Sequence, residues 1–352
     1  MKIYWDSYGI VRGPSGIFVH ARELQRSLSN NGVNVTVLDS EVGQGFFRPI
    51  IQSKLVAPEV CFRKFSRIHG GGPAVYHGLS NFNLPLWDWR TRRADVKYVL
   101  TIHDLIPVLA PRFGVSSSLR MQAAFLIPRA IKMADAIVAV SEWTARTIVE
   151  RYPEAKGRIA VIPNGFPDLR TKRTSPESVG MRPRILTVGR SENYKRHDLF
   201  LEVLEEAGGA LCGTLVTPGL PESLMGRAAR LNRKGLLDIA VSPTPEALQK
   251  IYSCHDVYVQ TSLLEGFCLP AAEAQAHGIP VVFTSGSGID EVVCRDSGKA
   301  VSAGATAVRW VSEILAVAAA RSETAPSLER WVASRPTWND SAIALKTLYN
   351  SL

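Results

Sequence analysis

Cysteine is scarce in this chain of 352 residues, and what there is does not form a metal-binding pattern. Cys61, Cys212, Cys254, Cys268 and Cys294 are odd in number, dispersed, and never spaced C-x-x-C. That excludes a disulfide framework and a structural zinc, and it fits reduced thiols in a cytoplasmic protein. No apolar run reaches the ~18–20 residues of a membrane span. The start, Met1 to Asp6, reads as a first strand and not as a secretory leader, because Asp6 interrupts a short apolar run. There is no G-x-x-x-x-G-K-[ST] loop, so ATP hydrolysis is not indicated. There is no D-x-D triplet to hold a divalent cation on a diphosphate, and no internal repeat or low-complexity tract. Acidic residues are thin in one stretch. Residues 54–132 hold 12 Lys or Arg against 4 Asp or Glu, which is almost the whole of the chain's net charge of +9. An anionic membrane, an anionic acceptor, nucleic acid or plain solvation each accounts for such a face, but no nucleic-acid motif accompanies it.

What is present is a composition of 46% hydrophobic and 21% charged residues, which is globular and long enough for two domains. Short runs rich in Val and Ile alternate with amphipathic stretches. The strand candidates are 2–6, 33–38, 73–77, 96–102, 136–140, 159–162, 183–189, 211–216, 236–241, 256–260 and 280–283. The helix candidates are 17–30, 118–133, 142–152, 195–206, 222–232, 244–252, 270–277, 305–320 and 339–351, with Pro128 expected to bend the second. Alternation of this kind predicts parallel sheets covered by helices on both faces. From Asp168 to Arg182 the chain turns polar and loses periodicity, punctuated by Pro167, Pro176 and Pro183, which reads as an interdomain linker.

The most informative segment runs Glu265-Gly266-Phe267-Cys268-Leu269-Pro270-Ala271-Ala272-Glu273. Pro270 suits the first turn of a helix. Backbone amides before it face the positive end of the helix dipole, which makes an anion site. Glu265 precedes the turn and Glu273 lies about one turn into the helix, and carboxylates there accept from sugar and ribose hydroxyls. Upstream, Val188-Gly189-Arg190 closes a strand and Lys195 follows, so a forked cation and a mobile one can both reach a diphosphate at the strand's carboxyl end. A solvated Arg there is the commoner case.

Together these segments resemble glycosyltransferase family 4, whose members are retaining enzymes of the GT-B fold. The likeness extends from a glycine turn at Gly9 and Gly13-Pro14-Ser15-Gly16 to Trp338-Asn339-Asp340-Ser341-Ala342, and includes Thr101-Ile102-His103-Asp104 and Ser141-Glu142-Trp143-Thr144. Pro14-Ser15 interrupts the paired glycines usual at the turn, and Gly16 is the likelier match. The resemblance implies an α/β protein of two doubly wound Rossmann-like domains with the active site in the interdomain cleft. Residues 1–168, with 338–352 crossing back, would form the acceptor-side domain, and 169–337 the nucleotide-sugar domain. The last helix packing on its own domain stays an alternative.

By the same resemblance, His103, Arg190, Lys195 and Glu265 would be catalytic, and Gly16, Asp104, Gly266, Phe267, Cys268, Leu269 and Glu273 would bind the donor. Glu265 would touch the donor sugar, Glu273 the ribose, and Arg190 and Lys195 the diphosphate. No metal and no cofactor are expected beyond the nucleotide-sugar substrate, since the two cations stand where other transferases place a metal. The implied reaction moves a hexose, with GDP-mannose favoured by the His103 loop, onto a saccharide or lipid-linked saccharide of a cell-surface polysaccharide. Trp87-Asp88-Trp89-Arg90-Thr91-Arg92-Arg93 and the stretch Leu119 to Lys132 suit the inner face of the cytoplasmic membrane, or else a buried Trp beside a solvated basic turn. A nucleotide-sugar epimerase or hydrolase of the same fold, or a non-catalytic nucleotide-sugar-binding protein, remain the other readings.

Overall fold

The computed structural model describes residues 1–6, 15–38, 57–85, 92–109, 115–167 and 182–352. The candidate residues Gly9, Gly13, Trp87, Trp89 and Arg90, and nearly all of the polar linker, lie outside the described residues. The chain divides into two compact units. Unit 1 is Met1–Gly165 with Pro336–Leu352, and unit 2 is Phe166–Arg335.

Unit 1 is built on β1 (Lys2–Asp6), α1 (Gly16–Asn30), β2 (Val35–Leu38), α2 (Ala57–Ile68), β3 (Ala74–Gly78), β4 (Val96–Ile102), α3 (Ile106–Leu109), α4 (Ser117–Met133), β5 (Ala136–Ala139), α5 (Glu142–Arg151) and β6 (Ile159–Val161). Its strands pair in the order β2-β1-β3-β4-β5-β6, every pair parallel. β3 and β5 are buried at every position, and β5, Ala136–Ala139, reads as an unbroken apolar run and not as alternation. Phe62, Phe65, Tyr76, Tyr98, Ile127 and Ile131 meet in the core on one side of this sheet. Pro128 sits inside α4 without ending it, because the buried face of Ala123, Leu126, Ile127, Ala130 and Ile131 holds both halves of the helix to the core. The helix at 57–68 has no counterpart in the sequence reading, although Cys61, Phe62 and Phe65 repeat at helical spacing.

Unit 2 follows with β7 (Arg184–Val188), α6 (His197–Glu206), β8 (Cys212–Thr217), α7 (Glu222–Arg233), β9 (Leu237–Val241), α8 (Pro245–Ser253), β10 (Val257–Gln260), α9 (Leu269–Ala276), β11 (Val281–Thr284), β12 (Lys299–Val301), α10 (Ala307–Ala319) and α11 (Arg321–Ala333). Its strands pair in the order β12-β11-β10-β7-β8-β9, again all parallel. The three-residue β12 and the proline-containing α11 escaped the sequence reading, the first for its length and the second for Pro326. Each unit is thus a six-stranded parallel sheet of the Rossmann-like kind.

The final helix, α12 (Trp338–Ser351), belongs to unit 1. Thr337 and Asp340 close its first turn as a capping box. Tyr349 anchors it: its hydroxyl accepts from Trp5 Nε1 at 2.9 Å and meets His77 Nδ1 at 2.6 Å. Ser341 Oγ donates to the Pro163 carbonyl at 2.7 Å. Gly165 is needed beside it, since a Cβ there would fall 2.1 Å from the Trp338 nitrogen.

Candidate active site

In unit 2 the strand order reverses between β7 and β10, the topological switch point where an α/β sheet opens a crevice at its strand carboxyl ends. The chain leaving β7 carries Gly189, Arg190 and Lys195, and the chain leaving β10 carries Glu265. Topology thus brings together two segments about 70 residues apart.

Lys195 ends a 3-10 turn, Asn193–Lys195, and its ammonium donates to Glu265 Oε1 at 2.7 Å. Both side chains are largely removed from water, 17% and 9% exposed. Gln260 Nε2 donates to the same carboxylate oxygen at 2.6 Å and is itself oriented by the Tyr258 hydroxyl, 2.7 Å from Gln260 Oε1. Burial is the largest single influence and disfavours the Lys195 cation, but the Glu265 charge and hydrogen bond, with Tyr194 and Cys268, together outweigh it, and the ammonium is held above its ordinary pKa. Thr261 Oγ1 fixes the turn by donating to the Lys195 and Arg196 carbonyls at 2.8 and 3.0 Å.

Glu265 is pinned from behind as well. Its amide donates to Ser287 Oγ at 3.1 Å, and its carbonyl accepts from the Gly288 amide at 2.8 Å. A Cβ on Gly288 would lie 2.0 Å from the Gly266 carbonyl oxygen, so only glycine lets the two loops pass. Cys268 then takes a left-handed conformation, φ +76°, and caps α9. A side chain at such a φ costs about 1–2 kcal/mol, and strain of this kind gathers at ligand-binding turns. Burial, then the Glu265 charge, pushes the Cys268 thiol well up, so it is no nucleophile. Leu269 already opens the helix, one residue earlier than the proline suggested, and Phe267, Cys268 and Leu269 are all buried.

Glu273, on α9, accepts from the Tyr252 hydroxyl of α8 at 2.8 Å. The His277 ring stacks on Tyr252 with centroids 5.0 Å apart. Arg190 stands apart from this network. It is exposed, with its Nε 3.6 Å from Glu192 Oε1. Ser191, Asn193, His197, Pro221 and Leu263 line a cavity of about 380 Å³ beside the β7 carboxyl end.

The remaining candidates lie in unit 1. Gly16 is the first residue of α1, whose cap is the Ser15 hydroxyl accepting from the Phe18 amide at 3.2 Å. His103 follows β4 and is buried; its Nε2 donates to the Leu79 carbonyl at 3.0 Å. Because a carbonyl only accepts, the proton is on Nε2 and Nδ1 is left as the acceptor. Burial lowers its pKa to about 4, so the ring is neutral. Asp104 Oδ1 accepts from the Ile106 amide at 2.9 Å and so shapes the loop. His20 meets His103 edge to face, with centroids 4.7 Å apart.

Gln260, Ser287, Gly288 and Tyr252 are supporting residues that sequence reasoning missed. Only Gly288, in a Gly-Ser-Gly run after a buried strand, carried a readable signal. Among the described residues no group of His, Cys, Asp and Glu is arranged to hold a metal ion.

Comparison with known proteins places both units. Residues 14–168 match the model for Glycosyltransferase Family 4, and residues 182–319 match the model for Glycosyl transferases group 1. A D-inositol 3-phosphate glycosyltransferase from Xylanimonas cellulosilytica is 28% identical over 285 residues, covering 73% of this chain and 67% of that protein. Sucrose-phosphate synthase from Thermosynechococcus elongatus is similar in fold, with a TM-score of 0.78 at 18% identity over 100% of this chain and 98% of that one. HepE from Anabaena, in complex with UDP-glucose, gives a TM-score of 0.74 at 17% identity over the full length of both chains.

Proposed function

The chain is a glycosyltransferase of the GT-B type, with a Glycosyltransferase Family 4 domain over residues 14–168 and a group 1 domain over residues 182–319, and from that premise we propose that it moves a hexose from a nucleoside-diphosphate sugar to a hydroxyl of a phosphate-bearing acceptor, with retention and without a metal. One observation carries the donor reading. At the β7/β10 switch point a buried cation, Lys195, and a buried carboxylate, Glu265, sit beside a strained turn that opens a helix, with Glu273 one turn further on. Lys195 and Arg190 stabilise charge as it grows on the leaving diphosphate. The α9 amides receive phosphate or sugar oxygens. Glu273 accepts from the ribose hydroxyls, and Tyr252 holds its carboxylate in place.

Retention follows a front-face course. Glu265 Oε1 already accepts from two donors, which leaves it a poor nucleophile. The bond from the anomeric carbon to the phosphate oxygen breaks, the bond to the acceptor oxygen forms on the same face, and the acceptor's proton passes to a phosphate oxygen. Neutral His103, with Nδ1 free to accept, orients a sugar hydroxyl.

The acceptor's phosphate is argued from the basic excess in residues 54–132 and from the D-inositol 3-phosphate named for the relative. The His103 loop favours GDP-mannose as donor, and UDP-glucose is the candidate that the HepE complex adds. A second reading concerns place. Arg92 and Arg93, expected to meet lipid, are paired with Asp135 and Asp95. On α4, however, Met121 is 72% exposed and Phe125 lies at the surface under the Arg129 guanidinium. An apolar ridge flanked by Arg120, Arg129 and Lys132 fits an anionic membrane surface. No helix among the described residues is long and apolar enough to cross a membrane.

The test is turnover of UDP-, GDP- and dTDP-hexoses with inositol phosphate and sugar phosphates as acceptors, in EDTA, with product stereochemistry read by NMR. Release of nucleoside diphosphate with an α-linked product from an α-linked donor is expected. An inverted product, or activity that returns only with added manganese or magnesium, overturns the mechanism.

A further inference from the structure

His197 is the first residue of α6, directly after the left-handed Arg196, and is 5% exposed. Its Nδ1 is buried and finds no hydrogen-bond partner among the described residues. A buried nitrogen without a partner is destabilising, a cost that a leucine or phenylalanine in the same place would not carry. Burial first, then the neighbouring Lys195 cation, holds the ring's pKa down to about 4, so it is neutral at physiological pH. A neutral imidazole has one N–H and one lone pair. An orphaned N–H is the worse of the two to bury, so the proton belongs on Nε2. Nε2 looks across Gly189: a Cβ built on that glycine would be 3.7 Å from Nε2 and 3.8 Å from Lys195 Cδ. The space over Gly189, at the carboxyl end of β7, is therefore bordered by a neutral N–H and by the stem of a cation. One neutral donor beside the stem of a cation suits an oxyanion.

We propose that the Nε2–H of His197 hydrogen-bonds a phosphate oxygen of the nucleoside-diphosphate sugar, over Gly189 and beside Lys195. The inference rests on the donor reading given above. It makes His197 a donor-binding residue and Gly189 the position whose missing side chain admits the phosphate.

The experiment measures binding of UDP and of GDP by calorimetry, with melting temperature recorded for each variant. His197→Phe keeps the ring's bulk and removes the donor; its affinity is expected to fall roughly ten- to a hundredfold, the range for a hydrogen bond to a charged group. His197→Gln, whose amide can stand in for Nε2–H, is expected to recover most of that loss. Gly189→Ala makes only ordinary van der Waals contacts, so it should fold and melt like the parent yet bind nucleotide at least tenfold more weakly. In the parent labelled with 15N-histidine, Nδ1 of His197 should be unprotonated, and its Nε2 signal should move when nucleotide is added. A parent that binds neither nucleotide overturns the nucleotide-sugar reading and this inference together. A parent that binds while a folded His197→Phe or Gly189→Ala binds equally well overturns this inference alone, as does a proton found on Nδ1.

Discussion

Replacing Lys195 tests the site's energetics as well as its chemistry. Its ammonium lies 2.7 Å from Glu265 Oε1, and neither side chain is more than 17% exposed. Lys195→Met would leave the carboxylate buried with Gln260 as its remaining side-chain donor. Breaking a buried pair from one side costs about 3–5 kcal/mol, because a charge is stranded away from water. For a domain of this size each kcal/mol moves the melting temperature by roughly 2–4 °C, so a drop of about 6–20 °C is expected. Adding Glu265→Gln removes the stranded charge and keeps an oxygen for Gln260. The double variant should then be more stable than Lys195→Met alone, the opposite of additive damage. Turnover should not return with stability, since the cation proposed to face the diphosphate is still missing; one lost electrostatic donor costs on the order of a hundredfold or more. Melting curves and steady-state rates on the two variants settle the matter. A double variant less stable than Lys195→Met would show that the pair does not hold the turn. Near-normal turnover in either would remove Lys195 from the reaction.

Three other predictions follow from the geometry. Glu273→Ala should weaken calorimetric binding of the bare nucleoside diphosphate and of the sugar nucleotide alike, whereas Glu265→Ala should spare the former; the same pattern in both variants would sink that division of roles. The protein should cosediment with anionic but not neutral vesicles at low salt, and Met121→Ser with Phe125→Ser should weaken that binding without changing donor affinity, because each apolar side chain lost from the ridge removes buried area; equal partition onto both vesicle types would leave the ridge as ordinary surface. Acid should destabilise unit 1 before it touches the carboxylates: burial lowers His77 to about 3 and His103 to about 4, below the unfolded value near 6.5, so their contribution is whole above pH ~6.5 and is lost as pH falls toward 4, by roughly 3 kcal/mol for His103. Denaturant midpoints at pH 7.5 and 4.5 should show this slope, and His103→Gln should flatten it; an unchanged slope would mean that His103 is not buried neutral.

Much of this molecule was legible in the order of its residues. The strands are short, apolar and β-branched, the helices between them are amphipathic, and that alternation admits little besides parallel sheets; the candidates at 2–6, 96–102 and 256–260 lie within a residue of the observed elements. The turn from Glu265 to Glu273 was visible because a helix start announces itself locally, through Pro270 and the residues just before it. Elements with weak local signals escaped, such as β12, three residues long, and α11, with Pro326 inside it.

Partnership across distance could not be read from sequence. Nothing local says that Lys195 faces Glu265, that Gln260 and Ser287 hold that carboxylate, or that Gly288 must be glycine because Gly266 passes 2.0 Å from where its Cβ would be. Nor does it say that Arg92 and Arg93 are spent on Asp135 and Asp95 while Met121 is left in water. Sequence determines the elements, because propensity and periodicity act over a few residues. The order of strands in the sheet determines the site, because the reversal between β7 and β10 places the ends of two distant strands side by side and sets which charges are buried together.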